Sequence, residues 1–395
     1  MPGTFDIDDV ILNFDPAAPQ HRFRQTGLRA ANAAAEAALP QGIPWPTGTA
    51  PTPAPLATPP AETDDLSRFN GYDAVVMTWT SAEAAAMASL FTPGYPVSAW
   101  YEYRNDIARY IPLVTGGKAP FNSRQADMAR YYHSLGLYFP CTIGGARTLL
   151  IKSGLHLDYD GPATPLHQLV QGIAQTVAPK IFITTGTGGG IGANVSLGDV
   201  VIAGTVRFDC KRQFAAKPWA DAAYTPSPVP AGTLAAITPA LTSVNAARIP
   251  NARPVPQVFS AATDAVVTTD FFAFDDSTDY YKLQGLGRAC DMGDAMVGNA
   301  LQSFPQIAWY SIRNASDPQI PNPNNDINEA SKEAAQIYAS YGGLTTAASL
   351  IATWAVIHAA QADAGAAREK PEAAPHKRAN ASGTDTPAAH RPHGR

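Results

Sequence analysis

Hydrophobic and polar positions along this chain fall into short, uniformly apolar runs separated by longer segments of helix formers. The first clear run is Tyr72-Asp73-Ala74-Val75-Val76-Met77-Thr78. A short run without alternation is the pattern of a strand buried on both faces. Ser81 to Leu90 follows with strong helix formers, and Ser81 is the expected N-cap. The same succession recurs. Strands are expected over 148–152, 180–185, 199–203, 258–262 and 307–312. Helices are expected over 164–177, 292–301 and 327–360, the last with a break at Gly342-Gly343. Strands alternating with helices predict an α/β fold with a largely parallel or mixed sheet. No internal repeat is visible.

The pattern is lost in four places. Residues 1–69 form an N-terminal extension, with one short Ala-rich helix expected over 26–39 and a Pro/Ala/Thr-rich stretch over 40–65. The latter cannot build a core and reads as an extended linker. Residues 95–140 are aromatic-rich and irregular, and 215–255 are rich in Pro and Ala; both read as insertions. Residues 363–395 carry a basic tint and read as a disordered tail. The expected folded part is thus 70–362.

Composition narrows the function. The 395 residues carry a formal charge of -5, and only 15% are charged. Nothing here attracts a polyanion, so nucleic acid is not an expected partner. Three scattered cysteines without a CxxC pair fit a reducing compartment. His156 and His167 lack ligand spacing, so neither a metal nor a cofactor is expected. Met1 to Val10 is acidic and precedes no long apolar run, which is not a secretory signal. Leu344 to Ala360 is apolar but interrupted by Thr345, Thr346, Ser349, Thr353 and His358, and reads as a buried helix rather than a membrane span. The cytoplasm is the expected compartment.

Candidate chemistry lies at the ends of the expected strands. Thr184 to Ala193 contains Gly188-x-Gly190-x-x-Ala193, a loose match to a dinucleotide fingerprint, with Asp209 near the position of a ribose-binding acid. That fingerprint must open a helix. These glycines lead instead towards another strand, as a strand–turn–strand unit. Two readings stand: a tight turn, or a backbone lining pressed against a flat ligand. Glu83 lies early on a helix, where it serves the helix dipole or a reaction. Asp291 and Asp294 flank Met292 at a helix start, as N-caps or as ligands. Asp317 ends Arg313-Asn314-Ala315-Ser316-Asp317 at a late strand end, and its step into Pro318 also suits a turn.

Taken in order, these segments resemble the purine nucleoside phosphorylase/uridine phosphorylase superfamily, most nearly the methylthioadenosine/S-adenosylhomocysteine nucleosidases. The similarity covers about 72–360. Val75 to Glu83 resembles the first strand and water-activating glutamate, and Lys152-Ser153-Gly154 the Ser-Gly turn at the sugar. Thr185 to Gly190 and Gly198 to Ile202 resemble the glycine-rich segment and its continuation. Thr263-Asp264-Ala265-Val266-Val267 resembles the stretch whose backbone pairs with the purine. Asp291-Met292-Gly293 corresponds to the Glu-Met-Glu ribose motif, and Arg313 with Ser316-Asp317 to the Arg…Ser-Asp motif whose aspartate handles purine N7.

The resemblance implies a three-layer α/β/α sandwich around a central mixed sheet. It implies a small-molecule nucleoside as ligand and a homo-oligomer, dimer or larger. Asp317 and Glu83 are the implied catalytic pair. Ser153, Gly188, Gly189, Val266, Val267, Asp291, Met292, Asp294, Arg313 and Ser316 are the implied substrate contacts. One departure stands out: the second glutamate of the ribose motif falls on Gly293, and Asp294 is displaced by one residue, about 100° around a helix. No Gly-Asp-Pro-x-Arg-like element and no arginine close after Ser153-Gly154 is present to hold phosphate. An N-glycosyl hydrolase using water is therefore the expected activity. A phosphorylase and a non-catalytic nucleoside-binding protein of the same fold are the alternatives.

Overall fold

The computed structural model describes residues 42–61, 63–110, 112–113, 134–157, 163–244, 249 and 252–369. The expected helix over 26–39, the middle of the 95–140 insertion and the segment 370–395 lie outside them. In chain order the strands are β1 (Thr52–Pro53), β2 (Ala74–Thr78), β3 (Tyr101–Tyr103), β4 (Gly136–Ile143), β5 (Ala146–Ser153), β6 (Ile181–Gly190) and β7 (Val200–Ile202). They continue with β8 (Thr205–Phe208), β9 (Ala223–Tyr224), β10 (Val258–Phe259), β11 (Ala265–Thr268), β12 (Ala289–Asp291) and β13 (Ala308–Asp317). The helices are α1 (Ser81–Phe91), α2 (Ile107–Tyr110), α3 (Pro165–Val177), α4 (Thr233–Leu241), α5 (Asp294–Leu301) and α6 (Ile327–Glu369).

All these strands join one mixed sheet. Its faces follow from strand periodicity, since successive side chains point to opposite sides. Val75 and Met77 of β2, Leu149 and Ile151 of β5 and Phe182 of β6 share one core with Leu166, Leu169 and Ile173 of α3 and Met296 of α5. Ala74, Val76, Leu150 and Ile183 point the other way, into a core with α1, α4 and the apolar stretch of α6. Two apolar faces, each covered by helices, make the three-layer α/β/α sandwich.

Register explains where a cleft can form. On one edge β6 pairs with β13, parallel, from Ile181 to Gly189. On its other edge it pairs with parallel β2 only over Ile181–Thr184, then with antiparallel β12 at Gly189 and Gly190. β2 and β12 therefore diverge, and the edge of β6 between them opens at the carboxyl end of β2. Such switch points are where open α/β sheets bind ligands.

Several elements differ from expectation, each for a physical reason. Gly186 and Gly188–Gly190 are not a turn; they lie in the last half of β6, where Glu83, Cys290, Val195 and Asp317 come too close for side chains. Arg313 to Asp317 lie within β13 rather than beyond it. The N-cap of α1 is Thr80, not Ser81. Helix α6 is unbroken at Gly342-Gly343. Its burial on the sheet outweighs the ~1 kcal/mol cost of each helical glycine. The same helix is long and apolar enough to cross a bilayer, but 83% of its apolar window is buried inside the molecule. It is a core helix of the sandwich, and it continues to Glu369, past the expected boundary at 362.

The aromatic stretch around 136–143 is not irregular. It is β4, hairpinned to β5 through Gly144-Gly145, and Pro140 obscures its strand pattern. The Pro-rich 42–61 segment packs on the body instead of running free. Thr52 and Pro53 pair with β4, Trp45 meets the Trp354 ring at 4.9 Å, and Trp354 Nε1 donates to Thr49 O at 2.8 Å.

Candidate active site

Glu83 is fixed twice. As N3 of α1 it forms a capping box with Thr80, so Oε2 accepts the N–H groups of Thr80 (2.8 Å) and Trp79 (3.0 Å) and the Thr78 hydroxyl (2.6 Å). Across the open edge of β6, Oε1 accepts the Thr187 N–H (2.6 Å) and hydroxyl (2.7 Å). The expected helix-end role and a place in the cleft are therefore both real. Gly186 makes the approach possible. It has φ +142, and a Cβ there would overlap Glu83 Oε1 and Cδ. Gly186→Ala is expected to destabilise the fold by about 1–3 kcal/mol, the scale of overpacking. Urea unfolding of the two proteins measures it.

Behind Glu83 lies a buried charge cluster centred on Arg313, whose side chain is 2% exposed. Arg313 forks onto Asp294, with Nε on Oδ2 at 2.8 Å and a terminal nitrogen on Oδ1. The same guanidinium reaches Asp291 Oδ2 at 3.1 Å and Glu83 Oε1 at 3.6 Å, and its carbon sits 4.9 Å over the Trp79 ring. Ser311 also donates to Asp294 Oδ2 at 2.5 Å. Burial pushes Asp294 up, but the Arg313 guanidinium and these hydrogen bonds outweigh it and hold the carboxyl below its ordinary value. Asp291 goes the other way. Burial, with the Asp294 charge beside it, raises it to about 7 against the pull of Arg313. Asp291 also anchors the start of α5, accepting the N–H groups of Gly293 (3.0 Å) and Asp294 (2.8 Å) and the Thr268 hydroxyl (2.6 Å).

Asp317 sits where β13 bulges. The β6 register shifts between Ala315 and Asp317, which makes Ser316 the extra residue and turns the carboxyl over Gly189. A Cβ on Gly189 would lie 2.9 Å from Cys290 Sγ and 3.0 Å from Asp317 Oδ2, so a side chain there would push these groups from their places. Oδ1 lies 2.9 Å from the Ser316 hydroxyl, while Oδ2 is buried with no partner. Burial, opposed by the Ser316 hydrogen bond, raises Asp317 to about 7. A carboxyl of this kind keeps its proton up to about neutral pH and has an unused oxygen.

These groups share one cleft of about 550 Å³, its open mouth included. Glu83, Gly188, Gly189, Asp291, Met292, Arg313, Ser316 and Asp317 all line it. Four other expected contacts do not. Asp294 is fully buried behind Arg313. The Ser153 hydroxyl closes its own turn, donating to Leu155 O at 2.7 Å. Val266 and Val267 are interior residues of β11, whose backbone is spent on β8 and β12. Phe272 and Ala273, in the loop after that strand, line the cleft instead.

Trp79, Thr80, His156, Thr187, Cys290 and Tyr338 also line the cleft and were not expected. Trp79 and Thr80 directly follow β2, so their place at the strand end was a usable signal. Tyr338 comes from the middle of α6 and offered none. Its hydroxyl donates to Thr80 Oγ1 at 2.8 Å. Among the described residues no group of His, Cys, Asp and Glu is arranged to hold a metal ion.

No protein-family model matches the chain, and no curated protein sequence matches it. Solved structures do. The chain is similar to a 5′-methylthioadenosine/S-adenosylhomocysteine nucleosidase from Colwellia psychrerythraea 34H in complex with adenine. The identity is 13%, the TM-score 0.46, and the match covers 74% of this chain and 96% of that one. It is also similar to the corresponding nucleosidase from Neisseria meningitidis in complex with methylthio-immucillin-A, at 14% identity and TM-score 0.40, covering 70% and 97%. The futalosine hydrolase of Helicobacter pylori strain 26695 aligns at 12% identity and TM-score 0.43, covering 72% and 97% of the two chains.

Proposed function

We propose that the cleft cleaves the N-glycosidic bond of a purine nucleoside with water as nucleophile. The observation that carries this reading is Asp317: a buried carboxyl, raised to about 7, with Oδ2 free of partners in a cleft that also holds Glu83. Breaking the bond to a sugar is easier when the leaving base accepts a proton. Asp317 Oδ2 gives its proton to the base, the bond from C1′ to the base breaks, and its electron pair stays with the base. The sugar is left with oxocarbenium character, facing the Glu83 carboxylate. Water adds to C1′ and passes a proton to Glu83. Free base and reducing sugar leave, and solvent exchange returns the proton from Glu83 to Asp317.

Glu83 is already surrounded by donors. Water reaches Oε1 by displacing the Thr187 hydroxyl, which can rotate away. Such saturation also suits a cleft that binds a nucleoside without cutting it, which is the second reading. A phosphate co-substrate fits less well. Arg313 is the sole Lys or Arg among the described lining residues, and it is committed to Asp294, Asp291 and Glu83. One assay separates the three: adenosine, methylthioadenosine, adenosylhomocysteine, inosine, uridine and AMP, with and without phosphate, monitored for free base. Phosphate-independent release from purine nucleosides is expected. Strictly phosphate-dependent release means a phosphorylase, and no release means a binding protein.

The acid role fixes the pH dependence. Asp317 must be protonated, so kcat/KM is expected to fall about tenfold per pH unit above about 7, with no such limb in Asp317→Asn. Stability follows the same sign. Between the ordinary 3.8 and about 7 the folded chain keeps protons on Asp317 and Asp291 that the unfolded chain has lost. Their contribution to stability is therefore present below that window and is lost as pH rises through it.

A further inference from the structure

The reading above leaves the sugar wall unexplained. If the base lies against Asp317 and water against Glu83, the sugar meets Trp79, Met292 and Gly293. Among the described residues this wall has no uncommitted carboxylate. Asp294 is fully buried off the cleft and bound to Arg313 and Ser311. Asp291 Oδ2 serves two backbone N–H groups and Arg313, and Oδ1 takes the Thr268 hydroxyl, which leaves at most one lone pair. Nor is there space for a longer residue at 293. A Cβ on Gly293 would lie 2.8 Å from Trp79 Cζ2, so the indole edge fills that position. Trp79 Nε1 is buried without a partner, a donor rather than an acceptor. The Tyr338 hydroxyl donates to Thr80 Oγ1, which also takes the Glu83 N–H, so Tyr338 offers one neutral acceptor oxygen and no carboxylate pair, and His156 stands edge-on to Trp79 at 6.4 Å.

We propose that this cleft selects purine 2′-deoxynucleosides, because Trp79 against Gly293 gives the sugar an apolar wall with one donor and no acceptor pair for a 2′,3′-diol. The inference rests on the nucleosidase reading for where the base and sugar lie. A diol held by an ionised carboxylate gains hydrogen bonds to a charged group, which in affinity amounts to about tenfold to a hundredfold. Here the diol would find no charged acceptor pair, and its extra hydroxyl would lose water against an indole.

Turnover alone does not test this, because a 2′-deoxyribosyl cation forms more readily in any site. The decisive readout is binding. Calorimetry on the full-length Asp317→Asn protein compares 2′-deoxyadenosine with adenosine, and 2′-deoxyinosine with inosine. The deoxynucleoside of each pair is expected to bind more tightly than its partner. Ribonucleosides binding as tightly or more tightly, or no binding by either pair, overturns the proposal. In the same background, Trp79→Ala with Gly293→Glu opens the indole's space to a carboxylate. It is expected to move the ratio at least tenfold towards ribonucleosides, and an unmoved ratio in a folded variant counts against the proposal. If that variant does not fold, the matched pairs on the parent protein decide. Base release by the wild-type protein is read separately. Deoxynucleoside binding without release would refute the nucleosidase reading and leave the sugar preference standing.

Discussion

Asp317→Asn is expected to lower turnover by about two to four orders of magnitude, the usual scale of acid–base catalysis. The substitution keeps shape and volume and removes the proton. Oδ2 has no partner in the fold, so no structural hydrogen bond is lost there. The carboxyl is costly to keep buried as an anion, which is why it is raised to about 7, so a neutral amide is expected to hold or increase stability above that pH. A pairing of lost turnover with retained or raised stability separates a chemical role from a structural one. Single-turnover base release and urea unfolding of the two proteins measure the pair. Unchanged turnover would remove Asp317 from the reaction.

Arg313→Met is the opposite case and is expected to cost about 3–5 kcal/mol of stability, the price of leaving buried charges without their partner. Asp294 is 0% exposed, and its fork with Arg313 is its main compensation. Asp291 and Glu83 would lose the same cation. A typical domain has a net stability of about 5–15 kcal/mol, so the loss is a large share of the whole. Adding Asp294→Asn should recover part of it, because a neutral amide needs no guanidinium. The double-mutant cycle in urea gives the coupling, and a cost for Arg313→Met within ~0.5 kcal/mol of zero would show that the cluster holds nothing together.

Much of this arrangement is legible in the sequence, and the remainder fails for identifiable reasons. The buried strands around Val75 and Ile183 and the helices packed on them follow from apolar runs and helix formers, which report burial directly. Glu83, Asp291, Met292, Arg313, Ser316 and Asp317, from widely separated segments, do meet at one cleft. Strand-end position was a sound guide to them. The glycines mislead because their composition resembles a turn, whereas here they admit neighbouring side chains: Glu83 onto Gly186 and Asp317 onto Gly189. Asp294 was expected at the sugar because nothing in its spacing reveals a buried arginine. Tyr338 could not be foreseen, since reaching Thr80 depends on how a continuous α6 lies across the sheet. Trp79 against Gly293 is a contact between segments far apart in the chain, and only the fold brings them together.

The central claim is that this chain uses water to break a purine N-glycosidic bond. Its most direct test is incubation of the full-length protein with a purine nucleoside in ¹⁸O-water without phosphate, followed by mass analysis of the sugar. The expected result is free base and an equal amount of sugar labelled at C1′, both formed at least about a hundredfold more slowly with Asp317→Asn. No base release, or release that needs phosphate and yields a sugar 1-phosphate, would contradict it.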